Sequence, residues 1–105
     1  MIPVASSGYH VTVTDKELNF GFWPKWLQKT IDRSVIASVE EVEVPCNNLG
    51  FHKDYNPIRK ESNALYAIRA GSGVRVTYRK GQWTRRYTFN TKDPQKVIQA
   101  LRGKP

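Results

Sequence analysis

The sequence predicts a mainly β domain that ends in one α-helix. Short segments in which apolar and polar residues alternate recur along most of the chain, as in strands with one buried face. Turn-forming residues separate these segments, and only the last segment changes to the helical period, after an Asp-Pro pair. About seven short strands in antiparallel sequence predict a small barrel or two orthogonal antiparallel sheets, with the helix covering the open end.

Residues 1–105 are expected to form a single domain. A chain of 105 residues with 39% hydrophobic residues and no biased tract has the length and composition of one globular domain. The single cysteine, Cys46, has no internal disulfide partner, which favours a reducing compartment. The sequence shows no secretory-signal pattern and no apolar run of spanning length. We therefore expect a cytoplasmic location, either as a free protein or as the cytoplasmic domain of a membrane-associated one.

The first elements are expected to be a hairpin and a corner. Residues 9–14 and 17–22 alternate on either side of an Asp-Lys pair, which is typical of a hairpin. Pro24 ends the second strand because it has no N–H for a sheet ladder, and a short element follows at residues 27–32. Residues 33–36 then form a tight corner before the next strand.

The middle of the chain combines strands with a long irregular segment. Residues 38–44 are extended, and a slip in their alternation at the Glu-Glu pair indicates a β-bulge. Residues 45–63 are rich in Asn, Gly and Pro, which predicts mostly loop with a short strand near residues 58–60. Residues 64–70 form the next strand, and the Gly-Ser-Gly at 71–73 allows the chain to reverse.

The last two strands are expected to form a hairpin around a Lys-Gly turn at residues 80 and 81. This turn would place Tyr78 opposite Trp83 on one face, and Arg75 opposite Arg86 on the other. The alternation assigns three aromatic residues to the interior, which are Trp83, Tyr87 and Phe89. Arg85 lies among them, so its side chain must reach the rim or find a carboxylate.

A helix is predicted at about residues 93–103. Asp93 can cap the first turn, Pro94 suits the first helical position, and Gly103 can end the helix. One apolar stripe would pack on the open end of the sheets, and it consists of Val97, Ile98 and Leu101.

The order and the amino-acid sequences of these segments resemble those of the bacterial pleckstrin-homology-like (PH-like) domain families. The similar segments are YHVTVTDKELNFGF, IDRSVIASVEEVEV, PIR, GSGVRVTY and TKDPQKVIQAL, which together cover nearly the whole chain. The resemblance implies a seven-stranded barrel capped by a helix. It also implies an adaptor role, because PH-like barrels serve to bind lipids or peptides and to self-assemble.

Charge is distributed unevenly between the two halves of the chain. Residues 1–52 carry four basic and six acidic groups, whereas residues 53–105 carry thirteen basic and three acidic groups, within a total of +8. Four arginines of the second half form a candidate anion-binding face, and they are Arg69, Arg75, Arg79 and Arg86. The alternative is a solvated surface whose cations only keep the domain soluble.

A second candidate surface is aromatic. Trp23, Lys25 and Trp26 cluster where a strand is expected to end, as at the centre of a protein contact or at a membrane interface. The leading hypothesis is a non-catalytic interaction or self-assembly module whose partner is another protein or a second copy. The alternative is binding of anionic lipid or another polyanion through the basic hairpin face, with nucleic acid less favoured than a membrane surface.

Catalysis and metal binding have weak support in the sequence. Cys46 and His52 lie six residues apart, but no family signature surrounds the cysteine and only Asp54 is near enough in sequence to orient the histidine. His10 is the only other histidine, and the candidate ligands lack the spacing of a zinc site. We therefore expect no enzymatic activity, no metal and no cofactor.

Overall fold

The computed structural model describes residues 9–22, 28–44, 50–67 and 70–102. These residues form eight strands in two sheets and one C-terminal helix, so the predicted mainly β class is confirmed. The strands are β1 (His10–Val13), β2 (Glu17–Gly21), β3 (Gln28–Asp32), β4 (Ile36–Val44), β5 (Gly50–Asn56), β6 (Glu61–Ala67), β7 (Gly71–Lys80) and β8 (Trp83–Asn90), and the helix α1 is Pro94–Arg102.

The smaller sheet is antiparallel, with the order β1-β2-β3. The predicted first hairpin is confirmed, with Val11 opposite Phe20 and Val13 opposite Leu18. Thr14 closes the turn, because its hydroxyl accepts hydrogen bonds from the main-chain N–H groups of Lys16 and Glu17.

A short 3₁₀ turn, Arg33–Val35, joins the two sheets at the predicted corner. Asp32 caps it, since its carboxylate accepts a bond of 2.9 Å from the N–H of Ser34. The irregularity predicted at the Glu-Glu pair of β4 lies earlier, between Ile36 and Ser38, where the pairing with β7 shifts register.

The larger sheet has the order β4-β7-β8-β6-β5, and its β6 and β8 run parallel. The sequence predicted antiparallel sheets, and this holds for every described pairing except that of β6 with β8. It also predicted mostly loop at residues 45–63, which is wrong where the structure describes that segment. Strand β5 lies in that segment, and the short strand expected near residues 58–60 is a turn. Strand β5 was not predicted because it lies at the sheet edge. Nearly all its side chains are exposed there, so its sequence does not have to alternate between apolar and polar residues.

The hairpin of β7 and β8 turns at Gly81 and Gln82, one residue later than expected. Gly81 has φ of 62°, which the first central position of a tight hairpin turn requires. Tyr78 therefore lies opposite Arg85, and the predicted pairing of Tyr78 with Trp83 is wrong. Because the register moves by two residues, every side chain keeps the face that the alternation predicted.

The core lies between the two sheets. Phe20 of the smaller sheet stacks on Phe89 of the larger one with ring centroids 4.5 Å apart, and both side chains are fully buried. The other buried core residues come from the same two inner faces, and they include Leu18, Ile31, Val74, Val76 and Tyr87. The described strands form two sheets, as one of the two predicted architectures has it, and the other, a seven-stranded barrel, is wrong for this part of the chain.

Helix α1 confirms the predicted C-terminal element. The Asp93 carboxylate accepts a bond of 3.1 Å from the N–H of Lys96, and Ile98 is buried in the core. Arg33 holds the last turn, since its guanidinium donates to the carbonyl of Ala100 at 2.8 Å. Among the described residues, no helix has both the length and the apolar character needed to cross a membrane.

Candidate interaction site at the hairpin tips

Three of the four predicted anion-binding arginines share the outer face of the larger sheet. Arg75 and Arg79 alternate along β7, and Arg86 of β8 lies opposite Thr77, between them. Arg69 is outside the described residues. The expected pairing of Arg75 with Arg86 is wrong, because Arg75 lies opposite Thr88. The side chains therefore share a face without the direct like-charge contact that the sequence predicted.

Carboxylates offset two of these three charges. Arg75 Nη1 lies 3.5 Å from Glu40 Oε1, and Arg86 Nη1 lies 3.7 Å from Glu61 Oε1. Arg75 also donates from Nε to the Thr88 hydroxyl at 3.3 Å. Exposed ion pairs of this kind contribute little to stability. They do lower the net positive charge that the face offers to a polyanion.

The same outer face carries a groove of about 580 Å³. Its lining mixes both charges with neutral groups, and comprises Glu43, Val44, His52, Lys53, Asp54, Asn63, Ala64, Leu65, Arg75 and Thr88. Since its lining includes both acidic and basic side chains, the groove has no concentration of one charge.

The larger concentration of positive charge lies at one end of the sheet. Because β6 and β8 are parallel, the turn before β6 and the turn before β8 lie side by side. The main-chain N–H of Thr84 donates to the carbonyl of Lys60 at 2.9 Å, which joins the two turns directly. The ammonium of Lys60 also bonds the side-chain carbonyl of Gln82.

We define the basic tip as the residues in these two turns, and at the strand ends next to them, that carry positive charge or an apolar or aromatic side chain. They are Tyr55, Ile58, Arg59, Lys60, Arg79, Lys80 and Trp83. Ile58 is 92% exposed, and all four cations of the tip are exposed. Two acidic residues adjoin the tip in sequence, Asp54 and Glu61, and Glu61 is already paired with Arg86.

Local hydrogen bonds hold the apex of the tip. The Asn56 side-chain carbonyl accepts from the N–H groups of Ile58 at 3.0 Å and Arg59 at 3.1 Å, which is an Asx turn. Tyr55 and Trp83 pack beside this turn with ring centroids 6.5 Å apart. The backbone thus presents Ile58 outward instead of folding it onto the sheet.

A cluster of phenols lies on the inner face of the same sheet. Tyr78 and Tyr87 stack with ring centroids 5.9 Å apart, and Lys29 Nζ lies 5.2 Å from the Tyr87 ring. Burial raises the pKa of Tyr66 and Tyr78 to about 12, and repulsion from a charged Tyr87 adds to both shifts. Burial would also raise the pKa of Tyr87, but the Lys29 charge and hydrogen bonds from Tyr78, Arg85 and Lys29 lower it overall.

Arg85 was expected either to pair with a carboxylate or to reach the rim of the sheet, and it contacts this tyrosine cluster instead. Its guanidinium hydrogen-bonds the Tyr87 hydroxyl, while its buried Nε has no hydrogen-bond partner among the described residues. The arginine therefore stays under the sheet as a donor to a phenol, and neither alternative expected from the sequence describes it fully.

The remaining predicted sites are mostly beyond what the structure describes. Trp23, Lys25, Trp26 and Cys46 lie outside the described residues. His52 is exposed on β5, and the His10 ring bonds the Asn19 side chain. Within the described ranges, no group of three or more His, Cys, Asp or Glu side chains is placed to hold a metal ion.

Sequence reasoning missed most of the basic tip. Of its members, only Arg79 was among the predicted site residues. The available signal was the run Pro-Ile-Arg-Lys, where an apolar residue lies between a proline and two cations in a polar segment. The second turn joins it only through the parallel pairing of β6 with β8, which no local pattern indicates.

Comparison of the chain with family models, with curated proteins and with solved structures finds no match. The PH-like resemblance therefore stays a prediction that rests on short sequence motifs. Conclusions about function depend on the geometry of the site.

Proposed function

We propose that this domain is a non-catalytic interaction module that docks on anionic lipid surfaces through its basic tip. The observation that carries the proposal is the environment of Ile58. This side chain is 92% exposed in a turn. Two exposed cations, Arg59 and Lys60, follow it in the same turn, and two more, Arg79 and Lys80, precede the neighbouring turn. An exposed apolar side chain among cations is complementary to a bilayer whose headgroups are negative and whose interior is apolar.

The expected strength is that of reversible membrane binding. Each lysine or arginine near an anionic surface contributes about 1 kcal/mol, so the four tip cations together contribute about 4 kcal/mol. Burying Ile58 adds up to about 1.5–3 kcal/mol if the whole side chain leaves water. The charges and the insertion of Ile58 thus make comparable contributions to the binding free energy, and removing either contribution weakens binding measurably.

The apolar part of the tip favours a bilayer over a nucleic acid. A polynucleotide would bind the cations through its phosphates but would leave Ile58 in water. Trp83 is partly buried against Tyr55, so its ring is not free to serve as a stacking platform. Tyrosine and tryptophan beside the apex are suited to the headgroup level, where one end of the ring is apolar and the other is wet.

The PH-like resemblance agrees with this proposal and is not needed for it. An adaptor role in the cytoplasm also agrees, because the anionic leaflet that attracts cations is the cytoplasmic one. The predicted outer-face arginines contribute less in this view, since Arg75 and Arg86 are already paired with carboxylates.

The test is co-sedimentation of the chain with phosphatidylcholine vesicles prepared with and without phosphatidylglycerol. We expect binding only to the anionic vesicles, and affinity that falls as salt rises. Replacing Ile58 by Ser should weaken binding about tenfold, because the exposed side chain contributes to insertion and not to the fold. The double variant Arg59→Glu with Lys80→Glu should abolish binding.

The matched control is Lys92→Glu with Lys96→Glu. It makes the same change in net charge on exposed residues around the start of α1, beyond the far end of β8 from the tip. This variant should retain binding. Equal losses of binding in the two double variants would show that binding depends only on net charge. Unchanged binding of Ile58→Ser would show that this side chain does not insert into the bilayer. Either result contradicts the proposal.

A further inference from the structure

The two edges of the larger sheet differ in how they are covered. On β4, Arg102 of helix α1 donates to the Val39 carbonyl at 2.9 Å, and Gln95 bonds the Glu41 side chain at 2.7 Å. On the opposite edge, no strand in the described part of the chain pairs with the outer side of β5. An edge strand of this length presents unpaired main-chain donors and acceptors to any strand that can align with it.

Strand β5 also exposes apolar surface on its core-facing side. Phe51 and Tyr55 are 43% and 67% exposed, although their rings contact Tyr66 and Trp83. The core therefore ends at β5 with its last aromatic residues half covered. A strand added beside β5 would continue this inner face and cover both rings.

The sequence of β5 is complementary to itself in one register. Two antiparallel copies that keep the same inner face must pair residues whose numbers have an even sum, and all seven residues overlap only when Lys53 lies at the centre. In that register Phe51 lies opposite Tyr55 of the second copy, and His52 lies opposite Asp54 of the second copy. Each of these pairs occurs twice because of the two-fold symmetry.

We propose that β5 pairs antiparallel with β5 of a second copy of this chain, so that the larger sheet continues across a two-fold axis at Lys53. The occupant of the edge is thus a second copy, as the self-complementary pattern specifies. The proposal shares Tyr55 with the basic tip, but it rests on the uncovered edge of β5, whereas membrane docking rests on the exposure of Ile58 and the nearby cations.

The centre of this interface carries a built-in repulsion. Lys53 lies opposite its own copy, and like charges directly opposed across a ladder are unfavourable. Lysine on an edge strand is also a common means of limiting uncontrolled pairing. Two aromatic pairs and two His-Asp pairs oppose this single unfavourable pair, so we expect a reversible dimer that strengthens when the central charge is removed.

The test is a charge swap at Lys53, followed by analytical ultracentrifugation. Lys53→Glu places two carboxylates at the centre and should associate as weakly as the original chain. An equimolar mixture should form a mixed dimer about fivefold more stable than either homodimer, beyond the statistical factor, because each interface then contains one Lys53-Glu pair. Lys53→Thr should strengthen the homodimer by a similar factor.

The matched control is Lys96→Glu, an exposed change of the same charge on helix α1. Its mixture with the original chain should show no preference for the mixed dimer. A mixture of Lys53→Glu with the original chain that associates no better than either alone would overturn the proposal. A strictly monomeric Lys53→Thr would also overturn it, and would leave the edge to a strand of another protein.

Discussion

The hydroxyl groups of Tyr66, Tyr78 and Tyr87 show how position changes the chemistry of one residue type. All three are buried, yet burial raises the pKa of Tyr66 and Tyr78 to about 12, whereas Lys29 and three hydrogen bonds lower that of Tyr87. The difference comes from the partners of Tyr87, which are Tyr78 on the adjacent strand β7, Arg85 on the same strand β8 and Lys29 on β3 of the other sheet. No single-residue property of the sequence distinguishes these tyrosines.

Spectrophotometric titration of the native chain should therefore resolve separate phenol ionisations. We expect Tyr87→Phe to remove the earliest component, and the last components to ionise near pH 12. Because the folded state holds the protons of Tyr66 and Tyr78 more tightly than the unfolded state, stability should be lost as pH rises from about 10 to about 12. A single transition at the ordinary tyrosine pKa for the whole chain would contradict this assignment.

At the scale of elements, helix α1 is a lid whose side chains contribute unequally. Ile98 is 4% exposed and belongs to the core, whereas Leu101 is only partly buried against it. We expect Ile98→Ala to lower the free energy of unfolding by about 2–4 kcal/mol, and Leu101→Ala by about 1 kcal/mol. Urea denaturation measures both, with the exposed Gln99→Ala as control. Equal effects of Ile98→Ala and Gln99→Ala would show that the helix is not packed on the core.

At the scale of the whole molecule, the two proposals together make a geometric prediction. Antiparallel pairing through β5 places the two basic tips at opposite ends of the joined sheet, since β5 ends at the tip. A dimer should therefore connect two vesicles, and the turbidity of anionic vesicles should rise on addition of the chain. Lys53→Thr should increase this clustering and Ile58→Ser should reduce it. Clustering that does not respond to Lys53→Thr would show that the tips act without the dimer.

Elements that bury one face or carry a specific cap were predictable from the sequence, and elements without either feature were not. The hairpin of β1 and β2, the corner after Asp32 and helix α1 each have a buried face or a specific cap, so their sequence carries the period of the structure. Strand β5 is exposed along nearly all of its length, so nothing in its sequence must alternate. The turn between β7 and β8 was predicted one residue too early, at Lys80 and Gly81, because that pair fits a hairpin turn in sequence. The backbone instead makes Gly81, which has positive φ, the first central residue of the turn.

Local sequence was enough to specify the mainly β class, the faces of the alternating strands, the C-terminal helix and the basic character of the second half. These properties follow from local periodicity, capping and composition, which act over a few residues. Only the tertiary structure decided that β6 lies parallel to β8, which brings Ile58 and the cations of two distant turns to one end of the sheet. That pairing depends on which strands are neighbours in space, and the alternation of a strand is the same whether its neighbour runs parallel or antiparallel.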